Sequence, residues 1–485
     1  MSENTKMSNF RWTICLLLFA ATTVNYLDRQ VLSLTFPEFI QPEFHWTDAH
    51  YGMITGFFSI FYAVACLFAG KFVDWMGTKK GYLWAIFVWS LAACLHAGCG
   101  VATCWFVDGV DTVAALRAVK AGSAAAAAVA SVSVWLFLVC RGFLALGEAG
   151  NFPAAIKVTA EFFPKKDRAF ATSVFNSGAS VGALVAPLTI PSLAKHFGWE
   201  LAFIIIGGVG FVWMFFWQWL YTKPHDSKFM NKAELDYVSQ DEESTRDAGA
   251  SAVRASDEKP IPFLKCFTYR QTWSFIVGKF CTDGVWWFYL FWAPAYFKEQ
   301  GHAPSTPMGQ ALVFTLYLIV TVVSIYGCKL PTVLVNKGYK GGNPYMCRMT
   351  AMLLFAFFPL AALFAQPLSN TSVWFPACLI GLAAAGHQAW SANIFSTVGD
   401  MFPKSTIASI TGIGAMAGGF GAFLVNVYAG RLFTYAQGAG KAFSFMGFEG
   451  KPAAYMIVFC VCGVAYLVAW CVMKLLVPRY KPIVE

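Results

Sequence analysis

Charge is what this sequence has least of. Of 485 residues only 13% are Asp, Glu, Lys or Arg, against 58% hydrophobic, with a mean hydropathy of +0.56. A chain so poor in charge cannot dress a folded core in a water-compatible surface, which excludes an ordinary soluble globular protein. The Lys and Arg residues form no stripe or patch, so the net charge of +9 does not point to nucleic acid. They recur in short clusters between apolar runs, as membrane topology requires. No nucleophile beside a base, no metal spacing such as H-x-x-x-H and no cofactor loop is visible, so no enzyme chemistry is implied. The first apolar stretch, about Trp12 to Phe36, is too long for a signal-peptide core and lacks a small-residue cleavage site; it reads as a retained first helix.

What is abundant is apolar and aromatic, with 47 Phe and 18 Trp, and this makes lipid the solvent. Even the 14 Cys fit that reading. Cys15, Cys66, Cys94, Cys140, Cys281, Cys378, Cys460 and Cys462 lie inside apolar stretches, as small buried hydrophobes rather than a disulfide framework. Stretches of spanning length, roughly 20 residues, centre near Leu18, Tyr62, Phe87, Leu144, Val181, Val209, Trp286, Leu318, Leu354, Ala384, Ala417 and Val461. An all-α membrane protein of twelve helices is predicted. With the N-terminus cytoplasmic, about 25 of the 35 Lys and Arg fall inside, which places both termini in the cytoplasm.

The expected organisation is a six-helix bundle over residues 1–221, a cytoplasmic linker over 222–268, polar and low in aromatics in its middle, and a second six-helix bundle over 269–485. An Ala-rich insert at about 105–131 reads as an extra extracellular helix or ordered loop. An internal repeat supports the pseudo-symmetry: Gly142 to Ala183 aligns without gaps onto Gly381 to Ala422, with FPK at Phe163–Lys165 and again at Phe402–Lys404. That register sets His387 opposite Glu148. Half-to-half symmetry of this kind predicts a substrate site near the bilayer midplane, between the halves, opened to each side in turn.

An ionisable side chain at mid-membrane costs at least about 2.5 kcal/mol on insertion scales, so the few present are functional candidates. Helix 1 carries Asn25, Tyr26, Asp28 and Arg29. Asp28 and Arg29 face about 100° apart, so one meets substrate and the other a partner helix; the alternative is a topology or packing pair at the helix end. Helix 4 carries Arg141 and Glu148, roughly 10 Å apart along one face. A carboxylate in low dielectric beside an arginine can couple proton and anion binding, and the alternative is an ion pair that only locks packing. Lys279 and Asp283 of helix 7 are spaced for an ion pair, structural or gating, and either Trp286 or Trp287 faces the cavity. On helix 10, His387, Trp390 and Asn393, with Gln388 beside them, suit hydrogen bonding and stacking against a sugar, or equally satisfied contacts between helices. The G-x-G-x-x-A spacing from Gly412 to Ala417 follows no strand and lies inside helix 11, where small residues permit close packing; the sequon at Asn370 proves nothing about glycosylation.

Gly70, Asp74, Gly77, Lys79 and Lys80, in GKFVDWMGTKK, resemble the signature loop of the major facilitator superfamily, which implies a part in conformational gating. NYLDRQ at Asn25, RGFLALGEAGNFPAAIKVTAEFFPKKDRA at Arg141 and KFCTDGVWWFYLFW at Lys279 resemble the hexuronate branch of its anion:cation symporter family, over nearly the whole chain except the insert. The resemblance implies that Arg29 holds the substrate carboxylate, that Tyr26 and Tyr62 line the pocket, that Asp28 and Glu148 carry protons and that Arg141 is coupled to Glu148. Ala179 and Met416 stand where the galactonate transporters of that family have Gln and Asn, which disfavours galactonate.

The expected function is import of a small organic anion, a hexuronate such as glucuronate or galacturonate, by proton symport with alternating access. Alternatives are an organic-anion exchanger, a symporter of another sugar acid, or a non-transporting nutrient receptor. The expected setting is a plasma (inner) membrane, multi-pass, with a carboxylate substrate, protons and lipid as partners. No cofactor other than the coupling proton, no metal and no nucleic acid are expected, and the chain is expected to act as a monomer.

Overall fold

The computed structural model describes residues 7–247, 261–327, 329–403 and 406–483. Lys404, which closes the second FPK of the repeat, and residues 248–260 of the polar linker lie outside them. Among the described residues nine helices are long and apolar enough to cross a bilayer. A tenth span results if Thr78–His96 and Cys99–Phe106, bent by 60° at a short break, are taken as one. Two more long helices, Arg270–Glu299 and Trp374–Met401, complete the twelve. They fall short in hydropathy because they hold Lys279, Asp283, His387, Gln388 and Asn393 along with several Trp and Tyr. Both of these spans carry candidate site groups.

In chain order helix 1 is Phe10–Thr35, helix 2 Asp48–Met76, helix 3 the bent pair, helix 4 Ala124–Glu148 continued by Asn151–Phe162, helix 5 Lys165–Phe197 and helix 6 Trp199–Leu220. Helix 7 is Arg270–Glu299, helix 8 Pro307–Gly327 continued by Leu330–Asn336, helix 9 Pro344–Ala356 continued to Ser369, helix 10 Trp374–Met401, helix 11 Ile407–Ala439 and helix 12 Gly450–Leu476. The run of five Ala read as part of an insert forms the opening turns of helix 4, capped by Ser123, which accepts from the Ala126 amide at 3.1 Å. What remains of the insert is a short helix, Val113–Arg117, tied down by Arg117. Its guanidinium meets Glu43 at 3.2 Å and Glu200 at 2.5 Å. A two-stranded hairpin, Ser444–Phe445 with Phe448–Glu449, joins helices 11 and 12, and its turn residues Met446 and Gly447 both have positive φ.

With no hydrophobic drive between helices in lipid, small residues set how closely they approach. Gly178 and Gly182 of helix 5 sit so tightly on Phe19, Thr23 and Tyr26 of helix 1 that a Cβ at Gly182 would lie 2.9 Å from the Tyr26 Cβ. Gly52 of helix 2 meets the Asn426 carbonyl and Gly430 of helix 11 in the same way. This helix 2 to helix 11 crossing is the broadest contact between the first six spans and the last six.

The hydrogen bonds and ion pairs between the two sets of spans, among the described residues, gather at one end. At the face opposite the chain termini, Lys451 pairs with Asp48 at 2.8 Å and Glu299 at 3.4 Å, and Tyr51 donates to the Phe291 carbonyl at 2.8 Å. Lys298 donates to the Pro37 carbonyl, Ser305 to Glu38, the Ala49 amide to Thr434 and Gln310 to Ser192. Every hydrogen bond and ion pair between the two sets seen among the described residues lies at that face. At the terminal face, the helix Lys232–Asp247 within the linker packs on the first set. Its fully buried Glu234 accepts from the Phe10 and Arg11 amides at 2.9 and 3.0 Å, doing for the start of helix 1 what an N-cap side chain does.

Candidate functional site

In the second half of helix 1, Arg29 and Asp28 are both buried, at 4% and 1% exposure. The Arg29 guanidinium reaches helix 4, where Nη2 and Nε donate to Glu148 Oε2 at 2.6 and 2.9 Å. Glu148 thus pairs with Arg29 across the bundle and not with Arg141 on its own helix. The seven-residue spacing keeps Arg141 two turns away along the helix axis, while the tight seating of helix 1 brings Arg29 within reach. Both nitrogens share one carboxylate oxygen, and Glu148 Oε1 has no partner among the described residues.

Around Arg29 stand four aromatic rings, with centroids 4.7 Å (Tyr62), 5.2 Å (Tyr26), 5.2 Å (Trp287) and 5.9 Å (Phe58) from the guanidinium carbon. Three come from helices 1 and 2. The fourth, Trp287 on helix 7, belongs to the other half, so this box closes only when the halves meet. Ring faces attract the cation at about 0.5–2 kcal/mol each and leave open the in-plane donors that a carboxylate uses. Arg141 lies over the far side of the same box, 5.4 Å from Phe58, with Nη1 unpartnered among the described residues. Both Asn25 side-chain polar atoms are likewise buried without a partner among the described residues, and the buried Asp28 carboxylate faces the Trp89 indole of helix 3. Polar groups this costly to bury mark out a candidate polar site.

Across the interface helix 7 carries a second pair, Lys279 to Asp283 at 2.7 Å, with the Lys279 ammonium 4.3 Å from the Phe395 ring. Trp286 stacks on His387 at 5.5 Å and 8° between planes. His387 Nδ1 lies 2.7 Å from the Tyr466 hydroxyl, and Trp390 meets the Tyr466 ring edge-on at 5.5 Å. Asn393 donates to the Ala389 carbonyl of its own helix at 2.7 Å, whereas Gln388 is half-buried with no polar contact among the described residues.

The signature-loop residues lie elsewhere, at the terminal face. Gly77, at φ 78°, makes the turn between helices 2 and 3; Asp74 pairs with Lys157 at 2.7 Å and Lys79 donates to the Gln218 carbonyl at 3.0 Å. Lys80 is exposed, and Gly70 has no atom within 4 Å of where a Cβ would sit. Sequence reasoning did not single out Phe58, Tyr466 or Trp89. All three are aromatic residues in apolar runs already crowded with aromatics, and only the polar or charged group each one faces, Arg29 for Phe58, His387 for Tyr466 and Asp28 for Trp89, distinguishes them.

These features define a secondary transporter architecture, a polytopic helical protein with a charged midplane site at the seam of two halves. The family model of the Major Facilitator Superfamily matches residues 18–426, and the chain belongs to that superfamily. It is a multi-pass membrane transporter and not an enzyme. It is 26% identical to the hexuronate transporter of Escherichia coli (strain K12) over 438 residues, 88% of each chain. It is also 26% identical to the D-galactonate transporter of Escherichia coli O6:H1 (strain CFT073), over 89% of this chain and 90% of that one. In fold it is similar to a crystal structure of a bacterial homologue of the human lysosomal transporter Spinster, in an inward-facing and occupied conformation. That match has a TM-score of 0.67 at 18% identity and covers 99% and 100% of the two chains.

Proposed function

We propose that the chain imports a sugar acid, a hexuronate such as glucuronate or galacturonate, together with at least one proton. The observation that carries this reading is the Arg29–Glu148 pair inside the aromatic box. A substrate carboxylate and the Glu148 carboxylate compete for one guanidinium. Protonating Glu148 removes its charge and frees Arg29 for the substrate, so each ligand's binding depends on the other. Charge arithmetic points the same way. With Asp28, Arg29, Arg141 and Glu148 all ionised, two acids balance two bases, and an arriving anion leaves an excess charge in low dielectric unless an acid takes up a proton.

The hexuronate relative supports the substrate class. Ala179 and Met416, one half-buried and the other exposed to the surroundings of helix 11, offer no hydrogen bond to a sugar chain, which disfavours galactonate. With the chain termini in the cytoplasm, as the basic clusters suggest, the fastened face is the outer one and the site faces inward. A plasma-membrane setting and action as a monomer complete the reading. The test is uptake into proteoliposomes of purified protein against a panel of labelled sugar acids. Saturable glucuronate or galacturonate uptake driven by an inward proton gradient is expected, and no response to that gradient would remove the symport reading in favour of exchange.

A further inference from the structure

The sense of one hydrogen bond in the second half bears on which sugar acids the site admits. Tyr466 has a single hydroxyl proton, and it is donated to the Thr282 carbonyl at 3.1 Å. With that proton given to Thr282, both contacts of the hydroxyl are made only if the ring donates across the 2.7 Å between His387 Nδ1 and the hydroxyl oxygen, and on that ground the imidazole proton is assigned to Nδ1. In the neutral ring Nε2 is left as a bare lone pair. The two ring nitrogens point in roughly opposite directions, so with Nδ1 turned onto helix 12, Nε2 points away from it. No protein donor meets Nε2 among the described residues. Trp286 lies flat against the ring and fixes its plane, and the next residue, Trp287, is the one that closes over Arg29.

We infer that His387, held as its Nδ1–H tautomer by Tyr466 and Thr282, is an acceptor for a substrate hydroxyl and makes the site selective for polyhydroxy monocarboxylates over dicarboxylates. This rests on the reading of the chain as a sugar-acid carrier. A substrate whose carboxylate sits on Arg29 meets a lone pair at its far end. A hydroxyl satisfies that lone pair. A second carboxylate, which has only acceptors, opposes it, and the nearby cation Lys279 is already held by Asp283 at 2.7 Å. Tyr466 acts through His387 as a positioning residue.

The experiment is uptake of labelled D-glucuronate by the wild-type protein in proteoliposomes, competed by unlabelled D-glucuronate and by D-glucarate, its dicarboxylate of the same carbon skeleton. Glucarate is expected to compete at least about tenfold more weakly, the value of one hydrogen bond lost to an unmet acceptor. Tyr466→Phe removes the group that fixes the tautomer, and should narrow that gap by about threefold or more. Nitrogen NMR of histidine-labelled wild-type protein, with the His387 signals assigned by their loss in His387→Gln, should show a protonated Nδ1 and a bare Nε2. Equal competition by glucarate, or a protonated Nε2, overturns the inference. If Tyr466→Phe does not fold, the wild-type competition and the NMR decide alone. If no sugar acid is taken up at all, the transport reading itself fails, whatever the tautomer.

Discussion

Glu148→Gln isolates the competition on which coupling depends. In the native protein Arg29 gives two charge-assisted hydrogen bonds, at 2.6 and 2.9 Å, to a single Glu148 oxygen. A substrate carboxylate must displace them unless Glu148 is protonated. A hydrogen bond between charged groups is worth about 1.5–3 kcal/mol net, and each 1.4 kcal/mol is about tenfold in affinity. Replacing the carboxylate by a neutral amide should therefore strengthen hexuronate binding at alkaline pH by about 10- to 100-fold relative to wild type, with little change at acid pH. The sign follows from the ionised form being the competitor: native affinity falls as pH rises and the acid loses its proton, and the Gln variant's affinity stays flat. Calorimetric titration of purified protein at acid and alkaline pH reads this directly. In proteoliposomes the same variant should retain counterflow and lose pH-driven accumulation. A Gln variant that binds more weakly than wild type at alkaline pH, or that keeps the native pH slope, would refute the competition.

Other outcomes follow from the same geometry. Arg29→Ala should abolish hexuronate binding while the protein stays monodisperse in detergent, because an anion at the midplane needs a fixed cation; undiminished binding would sink the assignment. Trp287→Ala removes the ring that only the second half contributes to the Arg29 box, and should weaken binding by about 0.5–2 kcal/mol, seen as a two- to thirtyfold rise in Kd. Gly52→Val should hold open the face opposite the chain termini, since even a Cβ there collides with the helix 11 backbone. Spin-label distances between the ends of helices 2 and 11 at that face should lengthen, and unchanged distances would contradict the closed seam described above.

Most of the helical frame was legible because lipid imposes a length and a hydropathy that a sequence displays openly. The exceptions are instructive. Helices 7 and 10 are marked by position and length more than by hydropathy, since the polar groups that make them candidates lower it. The Ala run was assigned to an insert because composition does not reveal that Ser123 starts a helix there. At the site, burial of Asp28, Arg29, Arg141 and Glu148 could be read from their places in apolar runs. The partnership of Glu148 could not. Spacing along one helix suggested Arg141, whereas the contact that forms depends on the approach of helix 1 to its neighbours, which Gly178 and Gly182 permit. The choice between Trp286 and Trp287 was open for a similar reason: adjacent residues point about 100° apart, and only the placement of helix 7 settles which ring meets Arg29 and which meets His387.

The central claim is that anion and proton move together, and it is tested most directly by watching protons while substrate flows. Proteoliposomes loaded with a pH-sensitive dye are placed in sodium-free buffer and given an inward hexuronate gradient. The lumen should acidify in step with substrate entry, and the acidification should vanish with Arg29→Ala protein. A lumen that holds its pH while hexuronate enters, or uptake that requires sodium, would contradict proton symport.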